Sequence, residues 1–262
     1  MAKVCQLFSG SSGNSIYIES SGHAVLIDAG VSAKRLDGAL NNIDADISKI
    51  DAVFLTHEHI DHTAGLRVFC SRHGIDAYAH QDCLSVLEKN GTVNGKYNAS
   101  PIEKVFENDY FRIEPFVLSH DSVACIGYTI ETSDSRKISV CTDTGYIPEE
   151  AKQKIKGSDL AVIESNHEVK MVESGPYPYI LKQRILSDNG HLSNVDCSEF
   201  ATELVKDKFT RVVLAHLSKE NNLPHLARDT AFSYFNEIGA ENNLDYRLYV
   251  SKTENDERPI VL

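Results

Sequence analysis

Short apolar runs recur along the chain, and turns rich in Gly, Ser and Asn separate them. Runs of four to eight apolar residues bounded by such turns are typical of buried strands. This pattern predicts strands over residues 5–8, 16–19, 24–27, 52–55, 111–118, 124–131, 137–141, 160–164, 211–215 and 245–251.

Other segments repeat apolar residues every three or four positions, which indicates amphipathic helices. Helices are predicted over residues 32–40, 65–73, 194–206 and 225–238. Ser32 is a candidate cap for the first, and Gly74 is a candidate stop for the second. The stretch 90–101 is rich in Gly and Asn and predicts a surface loop. Because strands and helices mix throughout, we expect a layered α/β sandwich rather than an all-parallel sheet.

Composition narrows the class of protein. The 262 residues contain no linker, short-period repeat or long charge block, so we expect one domain over residues 1–262. The net charge of −12 argues against a protein that binds nucleic acid through its overall charge. No run approaches 18 apolar residues and no secretory signal is evident, so we expect no membrane partner. Six cysteines without a CxxC spacing suggest buried thiols in a cytoplasmic protein.

One short segment concentrates metal-binding chemistry. His57 and His59 follow the predicted strand 52–55 directly, and a spacing of two points both side chains the same way in extended backbone. If the chain then turns, Asp61 and His62 face the same cavity. Imidazole and carboxylate suit Zn, Mn or Fe. The alternative is a polar surface turn, but four candidate ligands fit two adjacent ions better than one.

Three further candidates follow predicted strands. His120 comes after 111–118, Asp143 after 137–141 and His216 after 211–215. Sheet proteins place functional groups at strand ends, so three such residues beside the histidine motif indicate one shared cleft. Each residue alone is equally compatible with a surface polar position.

These residues, preceded by Asp28 in Leu-Ile-Asp-Ala-Gly, resemble the ordered signature of the metallo-β-lactamase superfamily. The resemblance implies a four-layer αβ/βα sandwich with a two-metal site at one edge. It implies that Asp28 supports the site by hydrogen bonds, although a plain turn residue before Gly30 is the alternative. Some members of the superfamily have cysteine at the position of Asp143. Aspartate there favours the hydrolases and nucleases of the superfamily over its antibiotic-degrading enzymes.

The resemblance also assigns ligands. The resemblance implies that the first ion is bound by His57, His59 and His120, and the second by Asp61, His62 and His216. Asp143 would bridge the two ions.

Three further segments resemble one bacterial branch of the superfamily, the YycJ/WalJ type. They are SGSSGNS at 9–15, ESNH at 164–167, and GPYPYILKQRILS at 175–187 running into DNGHLSN at 188–194. That branch is associated with DNA exonuclease activity from 5′ ends. The chain lacks the long basic arm of bacterial tRNase Z and has no room for the extra domain of the β-CASP nucleases.

Glu164 and His191 are similar to a Glu–His pair of tRNase Z. This likeness implies that His191 donates a proton to the leaving oxygen while Glu164 orients its ring. A helix-entry position is the alternative for His191, and the role of His167 stays open.

Two surface features also stay open. The segment 9–15 is either a flexible hairpin turn or a hydroxyl- and amide-rich loop near a substrate phosphate. Tyr177 and Tyr179 either stack on bases, beside Lys182 and Arg184, or simply pack a loop.

The sequence therefore predicts a metal-dependent phosphodiesterase, foremost a 5′-to-3′ DNA exonuclease. It would use two divalent ions, Zn, Mn or Fe, and a metal-bound hydroxide, with Asp61 as ligand and proton acceptor. The alternatives are a hydrolase of a small phosphodiester or thioester and a regulatory protein with a residual metal site. The oligomeric state is not predicted.

Overall fold

Two seven-stranded sheets form the centre of the structure, a computed structural model that describes residues 1–262. The strands of the first sheet are β1 (Lys3–Phe8), β2 (Ser15–Ser20), β3 (His23–Ile27), β4 (Ile50–Phe54), β5 (Asp76–Ala79), β6 (Ala99–Pro101) and β14 (Ile260–Val261). Their spatial order is β14-β1-β2-β3-β4-β5-β6. Pairing is antiparallel from β14 to β3 and parallel from β3 to β6.

The second sheet is also mixed. Its strands are β7 (Phe106–Glu107), β8 (Phe111–Leu118), β9 (Cys125–Thr132), β10 (Lys137–Cys141), β11 (Leu160–Glu164), β12 (Thr210–Ala215) and β13 (Tyr246–Val250). The order is β13-β12-β11-β10-β9-β8-β7, antiparallel from β7 to β10 and parallel from β10 to β13.

Nine α-helices and one short 3₁₀ turn at Ile47–Lys49 connect the strands. The helices are α1 (Ala33–Asn42), α2 (Ile60–Thr63), α3 (Leu66–His73), α4 (Gln81–Lys89), α5 (Glu149–Ile155), α6 (Val169–Ser174), α7 (Tyr179–Ile185), α8 (Asn194–Asp207) and α9 (Pro224–Glu237). None of them has both the length and the apolar character needed to cross a bilayer.

Three apolar layers hold the molecule together. Between the sheets, Phe54 of β4 meets Tyr128 of β9 edge to face, with ring centroids 5.8 Å apart. Helices α1, α3 and α4 cover the outer face of the first sheet, and α5, α8 and α9 cover that of the second. The layers therefore run helix, sheet, sheet, helix, which confirms the expected four-layer sandwich.

Most predicted elements lie within two residues of the observed ones, and the six cysteines are free and buried as expected. The surface loop predicted over 90–101 is wrong at its end, because Ala99–Pro101 pairs in parallel with β5. The sequence did not predict strands β5, β6, β7 and β14 or helices α2, α4, α5, α6 and α7. Most of these elements are too short for a period to show, and their neighbours in space decide their conformation.

Candidate metal centre

The segment that runs from the end of β4 through α2 carries four of the predicted ligands. Nε2 of the fully buried His57 lies 3.0 Å from Nδ1 of His59. Asp61 and His62 lie in the single turn of α2, with Nε2 of His62 3.6 Å from Oδ2 of Asp61. The segment thus brings all four side chains to one cavity, as their spacing indicated.

The second sheet supplies the other three predicted ligands from the ends of its strands. His120 lies two residues after β8, and its ring centroid is 5.2 Å from that of His57. Asp143 lies two residues after β10, with Oδ2 3.4 Å from Nε2 of His62. His216 follows β12 directly and places Nδ1 3.4 Å from the other Asp143 oxygen.

The seven side chains, together with Glu164 and His191, form overlapping groups, and within each group the potential ligand atoms lie within 4.8 Å of one another. The groups are His57, His59 and His120; Asp61, His62 and His216; His57, His62 and Asp143; and Asp143, Glu164, His191 and His216. Asp143 is shared between groups on both sides of the cavity. The geometry therefore assembles the two predicted ligand sets and places Asp143 between them.

Three residues at this edge have positive φ angles although none is glycine. The values are 64° for Asp28, 62° for Asp143 and 55° for His216. This region is sparsely populated by L residues, and it persists where surrounding contacts enforce it. One such contact is the hydrogen bond from the backbone N–H of His216 to Oγ of Ser9, at 2.7 Å. The strain is concentrated where the two sheets converge on the cavity.

Hydrogen bonds behind the cavity fix the orientation of the imidazoles. Nδ1 of His62 lies 2.8 Å from Oδ2 of Asp28. Oδ2 also accepts from the hydroxyl of Thr56, and Oδ1 accepts from the Thr56 backbone N–H. Nδ1 of His57 contacts Oγ1 of Thr56 at 3.0 Å, and Nδ1 of His120 contacts the Gly190 carbonyl at 3.1 Å. Each contact engages Nδ1 and leaves Nε2 toward the cavity. Asp28 therefore lies outside the ring of candidate ligands and in contact with it.

Glu164 is completely buried and binds two histidines through one oxygen. Oε1 lies 2.8 Å from Nδ1 of His191 and 2.7 Å from Nδ1 of His216. Burial favours a raised Glu164 pKa, but these two imidazoles outweigh it and lower the pKa below its ordinary value. Burial likewise opposes the charge on His191, yet the Glu164 carboxylate raises its pKa. The pair predicted from the sequence is thus assembled as an ion pair at the cavity edge.

The electrostatics of the cavity favour positive charge. Burial lowers the pKa of His62, but the carboxylates of Asp28 and Asp143 overcome this and raise it to about 9. Burial opposes ionisation of Asp61 as well, and the imidazoles of His216 and His62 nevertheless lower its pKa to about 2. His57 differs, because burial and neighbouring imidazoles hold its pKa well below the ordinary value, in the neutral form that ligates metals.

The residues present fit divalent cations. Oδ2 of Asp143 and Nε2 of His216 are buried and have no hydrogen-bond partner in the protein. An unpartnered buried polar atom is costly, and its presence needs an explanation. Both atoms face a cavity lined by imidazole nitrogens and carboxylate oxygens, which is the donor set of Zn, Mn and Fe.

The segment 9–15 is built into the site. The backbone N–H of Asn14 donates to the Asp61 carbonyl at 2.8 Å, and Asn14 Nδ2 lies 3.0 Å from Nε2 of His62. Gly30 packs against the same turn, since a Cβ there would lie 1.7 Å from the Asp61 carbonyl oxygen. The motif was visible in the sequence, but the role of Asn14 in holding the ligand turn was not.

A second buried group, made of three asparagines, was not predicted from the sequence. We call Asn166, Asn194 and Asn222 the asparagine clamp. Nδ2 of Asn166 donates to the His216 carbonyl at 2.9 Å. Nδ2 of Asn222 contacts the carbonyls of Ser165 and Asn166 at 2.9 and 3.0 Å, and Asn222 and Asn194 exchange hydrogen bonds through their amides. The clamp fixes the backbone beside His216. Nothing in the spacing of three distant asparagines signals this contact.

His167 lies behind the clamp rather than among the candidate ligands. It is buried, Nδ1 has no partner, and its carbonyl accepts a hydrogen bond from the backbone of Asn194 at 2.9 Å.

Comparison with known proteins places this geometry in a family. A family model described as the beta-lactamase superfamily domain matches residues 23–217, the range that contains every candidate ligand. The chain belongs to the metallo-β-lactamase superfamily. The superfamily's solved structures include the metallo-beta-lactamase fold protein YhfI from Bacillus subtilis, with a TM-score of 0.74 at 18% identity over 97% of this chain and 98% of that one. That likeness shows the shared fold.

Two relatives extend the likeness over most of the chain. The protein named exodeoxyribonuclease WalJ of Streptococcus pneumoniae is 37% identical over 249 residues, which covers 93% of this chain and 91% of the relative. Exodeoxyribonuclease YycJ of Bacillus anthracis is 34% identical over 236 residues and 89% of each chain. The resemblance to the YycJ/WalJ-type branch of this metallo-β-lactamase superfamily is therefore confirmed.

Proposed function

We propose that the chain is a metal-dependent DNA exonuclease that removes nucleotides from 5′ ends. The observation that carries the proposal is the Glu164–His191 ion pair at the edge of the two candidate ligand sets. A phosphodiesterase needs both a cationic centre for the phosphate and a proton donor for the leaving oxygen. The names of the two relatives support DNA as the substrate.

In this proposal each ligand set would hold one divalent ion, and Asp143 is placed to serve both sets. Bound divalent ions lower the pKa of a coordinated water and neutralise charge that builds on the phosphoryl oxygens. The chain's own part is to fix the ligands, through the hydrogen bonds to Nδ1 of His57, His62 and His120. The lowered pKa of Asp61 keeps its carboxylate ionised, as a metal ligand must be. We assign the role of proton acceptor to the same carboxylate.

His191 is suited to donate the proton. Its side chain is 19% exposed, whereas that of Glu164 is fully buried, so only the imidazole can reach a substrate. Glu164 engages Nδ1, which leaves Nε2 for the leaving oxygen, and its carboxylate stabilises the protonated ring. Backbone N–H groups of Thr144 and Leu192 hold the second Glu164 oxygen at 2.8 and 3.1 Å, so the pair keeps its orientation.

The overall charge of −12 does not conflict with a polyanionic substrate. The seven predicted ligands include only two carboxylates, Asp61 and Asp143, and the nearby Glu164 is paired with His191 and His216. Two divalent ions carry more charge than these two residues remove, so the occupied centre would attract a phosphate. We therefore expect binding of DNA to be focused on the cleft rather than spread over the surface.

Digestion of 5′-phosphorylated duplex and single-stranded DNA with Mn²⁺ or Zn²⁺ tests the proposal. We expect wild type to release the 5′-terminal nucleotide first and to shorten a 3′-labelled strand stepwise. Asp61→Asn should lose activity and bound metal together. His191→Gln should lose about a hundredfold in rate while retaining its metal content, because His191 acts on the proton and not on the ions.

The outcomes separate the rival functions. Bound metal without any DNA cleavage, but with turnover of a small phosphodiester or thioester, would identify a small-molecule hydrolase. Bound metal with no hydrolysis of either would indicate a regulatory protein with a residual site. Equal activity of wild type and Asp61→Asn would contradict the site assignment. Loss of metal from His191→Gln would make His191 a ligand.

A further inference from the structure

Helix α7 exposes apolar side chains to solvent. Tyr179 is 75% exposed and Ile180 is 83% exposed, and Ile185 is the helix's one buried residue. A helix retained for packing alone buries an apolar stripe against the core. Exposed aromatic and aliphatic side chains grouped in this way mark an interaction site.

The exposed face of α7 borders a groove of about 260 Å³. The groove is lined by Glu173, Tyr177, Tyr179, Lys182, Gln183 and Leu186. Nζ of Lys182 donates to the Glu173 carbonyl at 2.7 Å, so the ammonium is held at the groove rather than free in solvent. We call this surface the tyrosine shelf.

Helix α7 is joined directly to the metal centre. Arg184 forms an ion pair with Asp121, whose carboxylate lies 3.3 Å from Nε2 of the candidate ligand His120. The backbone N–H of His191 donates to the Ile185 carbonyl at 3.1 Å. Direct contacts thus connect α7 to the reacting groups, and His191 lies six residues beyond the end of α7.

Charge does not explain the shelf. The segment 168–191 contains three basic and three acidic residues, which balance formally. What the surface offers is two phenol rings, an aliphatic edge and one fixed ammonium. A nucleobase matches these features, since bases stack on aromatic side chains regardless of sequence.

We propose that the tyrosine shelf stacks unpaired bases of the DNA strand whose end lies in the cleft. The inference rests on the proposed nuclease function and adds the site that holds the strand. An aromatic contact of this kind strengthens binding about tenfold. It would act on substrates long enough to reach α7 and leave shorter ones unaffected.

Kinetics on two substrates test the shelf. Tyr177→Ala/Tyr179→Ala should raise KM for single-stranded DNA about tenfold and leave kcat unchanged. The same variant should hydrolyse bis(p-nitrophenyl) phosphate like wild type, because that small diester cannot span from the cleft to α7. Tyr177→Phe/Tyr179→Phe should restore the DNA KM, because stacking needs the ring and not the hydroxyl. Leu244→Ala, at an apolar residue that is 69% exposed and lies outside α7 and the groove, is the matched control.

Each other outcome overturns the inference in a recognisable way. Wild type that hydrolyses the small diester but not DNA refutes the DNA function and the shelf with it. Wild type that degrades DNA no better than the double alanine variant refutes the shelf alone. An altered molecular mass in light scattering, with unchanged DNA kinetics, assigns the surface to contact between copies of the chain. Tyr179→Ala repeats the test at a position too exposed to affect folding.

Discussion

Replacing Asn222 by alanine should destabilise the folded protein by about 4 kcal/mol. The Asn222 amide makes five hydrogen bonds, to Ser165, Asn166, Leu223 and twice to Asn194. A buried hydrogen bond contributes about 1 kcal/mol net, and partners left unsatisfied cost more. Relaxation around the deleted side chain recovers part of the total, which leaves about 4 kcal/mol.

The neighbouring residue provides a matched control. Asn221 is 1% exposed and Asn222 is 3% exposed, so both amides are equally buried. Neither side-chain polar atom of Asn221 has a hydrogen-bond partner in the protein. Asn221→Ala deletes the same atoms without breaking a bond, and we expect a change within about 1 kcal/mol.

Urea unfolding of both variants, followed by circular dichroism, measures the two free energies. A second measurement is the metal content after dialysis, which should fall in Asn222→Ala because the clamp fixes the backbone beside His216. If Asn221→Ala is as destabilising as Asn222→Ala, the hydrogen bonds of the clamp do not stabilise the fold, and the reasoning from unsatisfied partners fails. Unchanged metal content in a well-folded Asn222→Ala would refute the link to His216.

Asp28→Asn keeps the shape of a side chain whose backbone φ is 64° but weakens its hydrogen bond to Nδ1 of His62. Metal affinity, measured by competition with a chelator, should therefore fall ten- to a hundredfold. Unchanged affinity would contradict a supporting role for Asp28. Gly30→Ala should displace the turn that carries Asp61 and reduce both metal content and Tm, whereas Gly38→Ala, which has open space inside α1, should raise Tm slightly. Burial raises the pKa of all six cysteine thiols, so a thiol reagent at pH 8 should label the folded protein slowly and the urea-unfolded protein fully; fast labelling of folded protein would refute their burial.

Local features of the fold were predictable because short-range rules govern them. The hydroxyl of Ser32 accepts a hydrogen bond from the Arg35 backbone at the start of α1, as a helix cap does. Gly74 ends α3 with a φ of 68°, which glycine adopts without strain. The cluster from His57 to His62 was equally visible, since its ligand atoms are close in sequence as well as in space.

The resemblance to a known family predicted a residue pair that the spacing of residues could not. Glu164 and His191 are 27 residues apart, and only a known family pattern paired them before their 2.8 Å contact was seen. The tyrosines of the shelf were ambiguous in the sequence between packing and stacking. The 75% exposure of Tyr179 on α7 argues against a packing role for that residue, because exposure depends on which face of the helix the rest of the fold covers.

The tertiary structure alone decided the remaining parts of the site. Asn14 reaches the ligand turn from 47 residues away, and Asn222 reaches Asn194 from 28. The positive φ angles of Asp143 and His216 arise where two sheets press their strand ends together. The sequence by itself indicated most of the strands, the ends of helices such as α1 and α3, and the types of the candidate ligands, because residues near in the chain set these. Contacts between residues distant in the chain carry no periodicity, so the packing of the two sheets determined them.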